Sequence, residues 1–418
     1  HLPAVAAPRA DGRALVIGLG SGVTAAAVAL HGYSQVDVAE VEPAVARAAR
    51  QFERANHDVL RNPRVRLHLG DGRRFLERSE GGYALITSEP SNPWLSGMSG
   101  LFSSEFFGLV RERLADDGIL CQWLPAYGMT PRALAVAVAT VRESFPELSL
   151  WGVGGDLLLL ASRRPLALDL DAIAVRMRAP GVREELAGLG LREPTDLMAL
   201  RYLGPEGTAR LVGESAYGRH SDLRPSLEAR AVEGLYDAEA QARNFRTLER
   251  LSEPLSAACS SGTDVAARLT RSLLAAARPD AARRELAGVA AGDPWRDGLE
   301  RDLGTLYVMS GRPDAAVEVF GSRLKRLKGV GRARLDLAYA LLEARRDAEA
   351  LDQLDAFSHG GALAAEVSAA RRASGRGPAF LALSHAFGAA GDGTGAARAF
   401  RGAVREDPAM WGGGAPPR

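Results

Sequence analysis

Hydrophobic residues in the first part of the chain fall into short runs, which are separated by longer stretches of mixed polarity. The runs are rich in Val, Ile and Leu, as strands buried on both faces are. The stretches between them have the length and spacing of helices. This alternation predicts an α/β fold with a doubly wound, Rossmann-like parallel sheet. The predicted strands are 13–18, 36–41, 65–69, 83–87, 118–123 and 156–161, and the predicted helices are 23–31, 43–55, 103–115 and 131–145.

Beyond this first segment, residues 1–163, the strand signal fades and a Leu- and Ala-rich helical pattern replaces it. Residues 164–254 are therefore predicted to form a mostly helical extension, and residues 255–418 carry a repeat. The tripeptide Pro-Asp-Ala occurs at 279–281 and returns at 313–315. This spacing matches the tetratricopeptide repeat, whose period is about 34 residues and whose small residues let helix pairs stack closely. We expect an all-α region of tetratricopeptide-like repeats, with a generic Ala-rich helical bundle as the alternative.

The composition excludes several classes of function. A formal net charge of +1 leaves no basic excess for nucleic acid, so we expect no nucleic-acid partner. The two cysteines, Cys121 and Cys259, and the seven scattered histidines have neither disulfide nor metal-ligand spacing. We therefore expect no metal and a reducing, cytoplasmic setting. No apolar run approaches the roughly 18–20 residues of a membrane helix, so no membrane segment is expected within the chain.

A glycine-rich loop after the first predicted strand is the strongest chemical signal. Gly18, Gly20 and Gly22 would let backbone amides approach a ligand at the start of a helix. Glu40 ends the second strand, at the distance from the loop where dinucleotide folds place an acid that accepts hydrogen bonds from ribose hydroxyls. Val23 stands where the dinucleotide motif requires Gly or Ala. The loop therefore favours a nucleoside without phosphates, of the S-adenosylmethionine kind.

Two further motifs follow the third and fourth predicted strands. Asp71, followed by Gly72, could accept a hydrogen bond from an adenine amino group, and the segment 89–94 follows the next strand. The carboxyl ends of parallel strands form the ligand-binding edge of open α/β sheets, so these residues should lie near the glycine loop. The alternatives are a simple turn aspartate at Asp71 and a solvated strand end at Glu40.

These motifs resemble the spermidine synthase family. The resemblance rests on ALVIGLGSG (14–22), AEVEP (39–43), VRLHLGDGRRFL (65–76) and YALITSEPSNPWLSGMSGLFSSEFF (83–107), and it covers residues 1–163. It is closest to the bacterial spermidine synthase-like subgroup, which shares HSDLRPSLE (220–228) and is often fused to membrane segments. The resemblance implies a sheet of the S-adenosylmethionine-methyltransferase type. It also leads us to expect either a cytoplasmic protein or a membrane tether through segments preceding residue 1.

The family transfers an aminopropyl group from decarboxylated S-adenosylmethionine to an amine such as putrescine, and releases methylthioadenosine. The resemblance therefore implies a transferase with a small-molecule amine substrate. It implies no tightly bound cofactor, since decarboxylated S-adenosylmethionine, or S-adenosylmethionine, serves as co-substrate. Glu40 would hold the ribose and Asp71 would contact adenine. The expected nucleoside-binding residues are Gly18, Gly20, Ser21, Gly22, Glu40, Asp71 and Gly72.

The sequence departs from the family at the acids that handle the amine. The family's aspartate for the aminopropyl ammonium is replaced by Ser21, its catalytic aspartate by Glu89, and its second loop aspartate by Asn92. Glu89 is the expected catalytic carboxylate, which takes a proton from the amine or orients it. Asn92, Trp94 and Tyr127 are the expected substrate-binding residues. Packing in the core or on the surface is the alternative for the two aromatic residues.

Two rival functions follow from these departures. Ser21 would not repel the carboxylate of S-adenosylmethionine, so a methyltransferase using that co-substrate is physically coherent. The altered acids and the repeat region together are also compatible with a catalytically weak nucleoside-binding domain on a repeat scaffold. A protein partner for the helical repeats and a homodimer are further expectations.

Overall fold

The computed structural model describes residues 1–7, 11–95, 97–166, 168–213, 218–260, 264–328, 331–358, 361–373 and 375–410. The chain divides into two compact units, His1–Ser272 and Leu273–Arg418. The predicted helical extension, 164–254, belongs to the first unit. The expected boundaries at 163 and 254 stay predictions.

An eight-stranded sheet forms the centre of the first unit. Its strands follow the order β3-β2-β1-β4-β5-β7-β6-β9, and β8 pairs separately with β10. All six predicted strands are present, so the α/β prediction is confirmed. The strands are β1 (Arg13–Ile17), β2 (Gln35–Glu40), β3 (Val65–Leu69), β4 (Tyr83–Ser88), β5 (Leu114–Pro125), β6 (Glu147–Val153), β7 (Asp156–Ser162), β8 (Leu168–Asp169), β9 (Arg201–Leu203) and β10 (Cys259–Ser260).

The sheet is mixed rather than wholly parallel, which corrects one detail of the prediction. Strands β1 to β5 pair in parallel, but β7 is antiparallel to both β5 and β6, and β9 is antiparallel to β6. The short turn at 154–155 explains the antiparallel pairing of β6 with β7, because so short a connection can join only antiparallel strands. Its first residue, Gly154, has a φ of +60°, at the position where hairpin turns of this length favour glycine.

Helices cover the sheet, and local sequence explains how they begin. In α6 (Pro131–Ser144), the Thr130 side chain accepts a hydrogen bond from the Ala133 amide at 3.2 Å, and Pro131 opens the helix. Leu134, Val138 and Val141 then recur on one face and are buried in the core. The other helices of this unit are α1 (Leu2–Ala6), α2 (Val23–Ala29), α3 (Pro43–Ala48), α4 (Gly72–Arg78), α5 (Ser104–Arg113), α7 (Leu170–Met177), α8 (Val182–Gly188), α9 (Pro194–Met198), α10 (Pro205–Gly213), α11 (Ser226–Leu235) and α12 (Ala240–Leu251).

The second unit is built from helices. Among the described helices of the whole chain, none combines the length and the apolar character needed to cross a membrane. The helices are α13 (Val265–Ala275), which reaches from the first unit into the second, α14 (Pro279–Leu286), α15 (Arg296–Met309), α16 (Pro313–Arg326), α17 (Gly331–Glu343), α18 (Asp347–Ser358), α19 (Ala362–Arg372), α20 (Gly377–Ala389) and α21 (Gly393–Glu406).

Four helix-to-helix turns of this unit share one geometry. Each has a central residue with positive φ: 55° at Ala277, 70° at Gly311, 60° at Arg345 and 74° at Gly391. In each, the next residue donates its N–H to a carbonyl of the preceding helix, at 2.8–2.9 Å, which closes that helix in the Schellman manner. The first three centres are evenly spaced in the sequence, at the same interval as the two Pro-Asp-Ala copies. The sequence period is therefore also a structural period.

Glycines allow paired helices to approach closely. A Cβ at Gly304 would lie 2.4 Å from the ring of Phe320, on the partner helix. A Cβ at Gly402 would lie 2.5 Å from the ring of Phe380. Both distances are shorter than any van der Waals contact, so the pairs α15–α16 and α20–α21 depend on these small residues.

Candidate functional site

The glycine loop joins β1 to α2 and needs its glycines for two reasons. Gly18, Gly20 and Gly22 have φ values of +95°, +53° and +84°, a region that glycine enters without strain. Space is the second reason, because a Cβ at Gly18 would lie 2.8 Å from the carbonyl oxygen of Glu89. The loop therefore packs directly against the chain that follows β4.

Glu40 fixes the loop from the end of β2. Its carboxylate is buried, and Oε2 accepts a hydrogen bond from the Leu19 amide at 2.9 Å. Oε1 accepts from the Glu42 amide, also at 2.9 Å. A carboxylate has about four acceptor positions, so these two hydrogen bonds leave about two for other donors. Glu40 is therefore not a solvated strand end, because it is buried and its hydrogen bonds fix the backbone of the loop.

Asp71 begins α4 rather than standing free. Its side chain accepts a hydrogen bond from the Arg74 amide at 2.8 Å and caps the helix. Gly72 brings the start of α4 against β1, since a Cβ there would lie 2.6 Å from Cγ2 of Ile17. Capping this helix is the structural role that the sequence left open as the alternative for Asp71. A contact of Asp71 with adenine stays a prediction.

Glu89 follows β4 and turns toward the first turn of α2. Its Oε2 accepts a hydrogen bond from Thr24 Oγ1 at 2.8 Å. Burial raises the pKa of the Glu89 carboxyl above its usual 4.5, although the Thr24 hydrogen bond works in the opposite direction. The charge of Asp156 raises the pKa of Glu89 further. A carboxylate with a raised pKa is a stronger base, which suits proton transfer.

Asn92, Trp94 and Tyr127 come together at the carboxyl ends of β4 and β5. The Tyr127 hydroxyl donates to Asn92 Oδ1 at 3.4 Å, and the rings of Trp94 and Tyr127 meet edge to face with centroids 6.3 Å apart. Trp94 also packs against the core, whereas Tyr127 is 41% exposed. Burial of part of its ring, and then the charge of Asp156, raise the pKa of Tyr127 above 10. Tyr127 is thus a partly open aromatic surface rather than a core residue.

The N-terminal part of the chain is similar to a family of known proteins. Residues 1–149 match the family model described as "Spermine/spermidine synthase domain". The expected resemblance to the spermidine synthase family is confirmed. We name residues 1–149 the synthase-like domain.

Curated relatives of the synthase-like domain carry polyamine aminopropyltransferase and spermidine synthase names. Polyamine aminopropyltransferase 2 of Streptomyces coelicolor is 34% identical over 147 residues, which are 34% of this chain and 26% of that protein. Polyamine aminopropyltransferase of Alkaliphilus oremlandii is 29% identical over 149 residues, 35% of this chain and 52% of that protein. Spermidine synthase of Coffea arabica is 32% identical over 147 residues, 35% of this chain and 46% of that protein. The chain thus spans about a quarter to a half of these relatives.

Solved structures resemble the chain more distantly. Spermidine synthase from Thermotoga maritima is 20% identical with a TM-score of 0.34, over 39% of this chain and 57% of that one. Human methyltransferase-like protein 13, in complex with SAH, is 18% identical with a TM-score of 0.35, over 44% of this chain and 90% of that one.

The segment 220–228 holds the loop that follows Glu89 in the synthase-like domain. His220 is buried, its Nε2 donates to the Ser99 carbonyl at 2.9 Å, and its Nδ1 accepts from the Leu227 amide at 3.2 Å. Burial lowers the pKa of His220, consistent with this neutral form. Arg73 adds two hydrogen bonds to the Asp222 carboxylate, at 3.0 and 2.7 Å. The HSDLRPSLE segment therefore supports the site from outside the matched residues.

Sequence reasoning missed two residues that act on Glu89. Thr24 lies in the first turn of α2 and donates to its carboxylate, and Asp156 lies at the start of β7 and repels it. A hydroxyl among the alanines of α2 was a readable signal for Thr24. Asp156 carried a weaker one, as an acid between a Gly-Gly pair and an apolar strand.

A polar cavity of about 760 Å³ lies at the β2–β3 edge of the sheet. It shares Asp71 with the predicted site, but its lining residues do not include the glycine loop or Glu89. At its base, the buried Asp37 carboxylate accepts from Arg13 at 2.9 Å and from His68 at 2.8 Å. Within the described residues, no group of three or more His, Cys, Asp or Glu side chains is placed to hold a metal ion.

Proposed function

We propose that the protein is an aminopropyltransferase that uses decarboxylated S-adenosylmethionine and an amine such as putrescine. One observation carries the proposal. Glu89, a carboxyl with a raised pKa, lies at the end of β4 and is bonded to the helix that follows the glycine loop. A base is thereby held next to the predicted nucleoside site. The names of the relatives of the synthase-like domain support the same reaction.

The nucleoside would occupy the edge formed by the carboxyl ends of β1, β2 and β3. Gly20 leaves the backbone exposed there, and the half-buried Gly18, Ser21 and Gly72 border the same edge. The free acceptor positions of Glu40 would bind the ribose hydroxyls. This arrangement would direct the aminopropyl arm toward β4.

The transfer would be an in-line displacement. The neutral amine nitrogen attacks the aminopropyl carbon attached to the sulfonium, so a C–N bond forms as the C–S bond breaks. The bonding electrons return to sulfur, and methylthioadenosine leaves neutral. The Glu89 carboxylate, which must be ionised, takes the proton from the ammonium form of the reacting amine, so that the nitrogen attacks with a free electron pair. Asn92, Trp94 and Tyr127 would line the path of the amine.

A methyltransferase is the second candidate, and Ser21 is the observation that favours it. A serine in the glycine loop places no negative charge beside the tail of the co-substrate. The tail of S-adenosylmethionine carries a carboxylate, which an aspartate there would repel.

We propose in addition that the second unit is a tetratricopeptide-like array that binds a protein partner. The evenly spaced turns centred on Ala277, Gly311 and Arg345 support this assignment. The close helix approach at Gly304 agrees with the small residues that such repeats require. With such a partner and without transfer activity, the protein would be a nucleoside-binding scaffold.

Product analysis by mass spectrometry distinguishes these functions. The full chain is incubated with a mixture of diamines and polyamines, once with decarboxylated S-adenosylmethionine and once with S-adenosylmethionine. We expect methylthioadenosine and an amine heavier by one aminopropyl unit in the first reaction. S-adenosylhomocysteine in the second would assign the protein to the methyltransferases. The absence of product from both would overturn the proposed activity.

The variant Glu89→Gln tests the base. Proton transfer by a positioned side chain contributes roughly 100-fold to 10,000-fold, so kcat should fall by at least about 100-fold. Methylthioadenosine binding, measured by calorimetry, should change little, because Glu89 lies beyond the nucleoside. Glu80→Gln, at an exposed position just before β4, is the matched control and should keep full activity. Retained activity in Glu89→Gln would remove Glu89 from the mechanism.

A further inference from the structure

A diamine acceptor is a dication, so the second amine needs an anionic partner in the protein. At two positions where the family resemblance implies aspartates, this chain has Ser21 and Asn92, which carry no charge. Glu89 is occupied with the reacting amine in the proposed function. The far ammonium group therefore requires another acid at the same edge of the sheet.

The register of the strands places Asp156 on the same face as Glu89. On neighbouring strands, Thr87 pairs with Cys121, and Pro125 pairs with Asp156. Alternate residues of a strand share a face, so Cys121, Trp123 and Pro125 point the same way, and Asp156 lies beside the last of them. Glu89, two residues after Thr87, continues that face beyond the end of β4. Both acids thus lie where the carboxyl ends of β4 and β5 meet.

The backbone around Asp156 and Tyr127 is held firmly. The Ala126 amide donates to the Gly155 carbonyl at 3.1 Å, which joins the β6–β7 turn to the chain just before Tyr127. The buried Asn244 side chain donates to the carbonyls of Ala126 and Met129, both at 2.8 Å. The chain segments that carry the half-buried Asp156 and the exposed Tyr127 are therefore held next to each other.

The negative charge of Asp156 acts on Glu89 and on Tyr127, and no ion pair with a described cationic side chain neutralises it. Its carboxylate raises the pKa of Glu89 and of Tyr127, although burial is the larger cause at each. In the part of the chain that the structure describes, no Arg, Lys or His forms an ion pair with Asp156. A half-buried carboxylate with no cationic partner among the described residues, in the neighbourhood of a partly exposed aromatic ring, is a suitable site for an ammonium group.

We propose that Asp156 binds the second, non-reacting ammonium group of a diamine or polyamine acceptor, with Tyr127 beside it and Glu89 at the reacting amine. The inference rests on the proposed aminopropyl transfer and specifies its acceptor. Asp156 lies beyond the residues matched by the family model, which end at 149. Asp156, at the start of β7, would thus provide the negative charge that Ser21 and Asn92 do not carry. It also selects amines with two positive charges over monoamines.

Kinetics with two amines that share the same four-carbon chain test this assignment. For 1,4-diaminobutane, Asp156→Asn should lower kcat/KM roughly tenfold to hundredfold, mainly through KM, the range expected for a lost charged hydrogen bond. For 1-aminobutane, which has no second ammonium, kcat/KM should stay within about threefold. The acid limb of the pH–rate profile should also move to lower pH, because removing a negative charge lowers the pKa of Glu89. Asp116→Asn, at the exposed far end of β5, is the control.

Equal losses for both amines, or no loss for either, would overturn the role of Asp156. Calorimetric titration of 1,4-diaminobutane in the presence of methylthioadenosine separates this outcome from failure of the proposed function. If the unmodified protein transfers nothing but binds the diamine more tightly than Asp156→Asn does, the proposed reaction fails and the diamine site stands. If both proteins bind it equally, the site is wrong whatever the activity.

Discussion

The two halves of the candidate site are built by different means. On the nucleoside side, Gly18, Gly20 and Gly22 set the shape through backbone conformation, and Glu40 is anchored by backbone amides. On the amine side, Glu89 and Asp156 act through charge, and their carboxylates receive no backbone hydrogen bond among the described residues. A binding surface formed by the backbone is little affected by most side-chain substitutions. A binding surface formed by charged side chains changes whenever one of them is replaced.

This difference explains where the synthase-like domain keeps the residues that the resemblance implies and where it departs from them. The three glycines of the loop, the strand-end acid and the turn before α4 keep the residue types that the resemblance implies. The departures at Ser21, Glu89 and Asn92 all fall on groups that would meet the aminopropyl arm or the amine in the proposed reaction. We infer that the nucleoside half constrains the fold, while the amine half decides which acceptor is used.

Gly18→Ala should break the nucleoside half most severely. A side chain at φ +95° is strained by about 1–3 kcal/mol, and its Cβ would meet the Glu89 carbonyl oxygen at 2.8 Å. We expect methylthioadenosine affinity to fall by at least about 100-fold, as displaced backbone no longer fits the ligand. Calorimetry and a thermal melt measure the two effects. Gly108→Ala, in open space on helix α5, is the control and should melt no lower than the unmodified protein. Unchanged binding in Gly18→Ala would show that the loop does not hold the nucleoside.

Glu40→Gln should have a smaller effect on the same half. The amide nitrogen of Gln cannot accept a hydrogen bond, so either the Leu19 or the Glu42 amide loses its partner. A charged hydrogen bond contributes about 1.5–3 kcal/mol, so nucleoside affinity should fall roughly tenfold to hundredfold. Titration with methylthioadenosine checks this, with the exposed Glu53→Gln as control. Equal affinities in the two variants would contradict a role for Glu40.

Thr24→Val should make the smallest change, and only on the amine side. Its hydroxyl donates to the ionised form of Glu89, so its removal should raise the pKa of that carboxyl further. A neutral donor contributes about 0.5–1.5 kcal/mol, which corresponds to a shift of up to about one pH unit. Since Glu89 must be ionised to act, the acid limb of the pH–rate profile should move to higher pH. This is the opposite of the shift expected for Asp156→Asn. If the acid limb of the pH–rate profile does not move in Thr24→Val, Thr24 does not influence the reaction.

The nucleoside half could be predicted from the sequence because its signals are local. A glycine loop, a strand-end acid and an Asp-Gly turn each occupy a few consecutive residues. The order of parallel strands then brings these segments to one edge. The structure adds what local signals do not carry, such as the hydrogen bonds of Glu40 to the loop amides and the capping role of Asp71.

The amine half could be predicted only in part, because it depends on pairing between distant residues. Glu89 and Asn92 stand close together in the sequence and were found by their resemblance. Asp156 reaches the site only through the antiparallel pairing of β5 with β7, and the sequence prediction made the whole sheet parallel. The Gly-Gly turn at 154–155 was the available signal for a hairpin. Pairing register is a tertiary property, so no local pattern places Asp156 beside Tyr127.

Because the same helix-to-helix turn recurs in the second unit, the number of repeated segments could change without altering the turns that remain. Each turn is closed by a hydrogen bond to its own helix, and the centres at Ala277, Gly311 and Arg345 recur at one fixed interval. Loss or gain of one whole copy would therefore leave every remaining turn chemically intact. In a tetratricopeptide-like array, as proposed above for this unit, each interface between neighbouring repeats adds to the stability. The length of the array, rather than any single contact within it, would then set how cooperatively this unit unfolds.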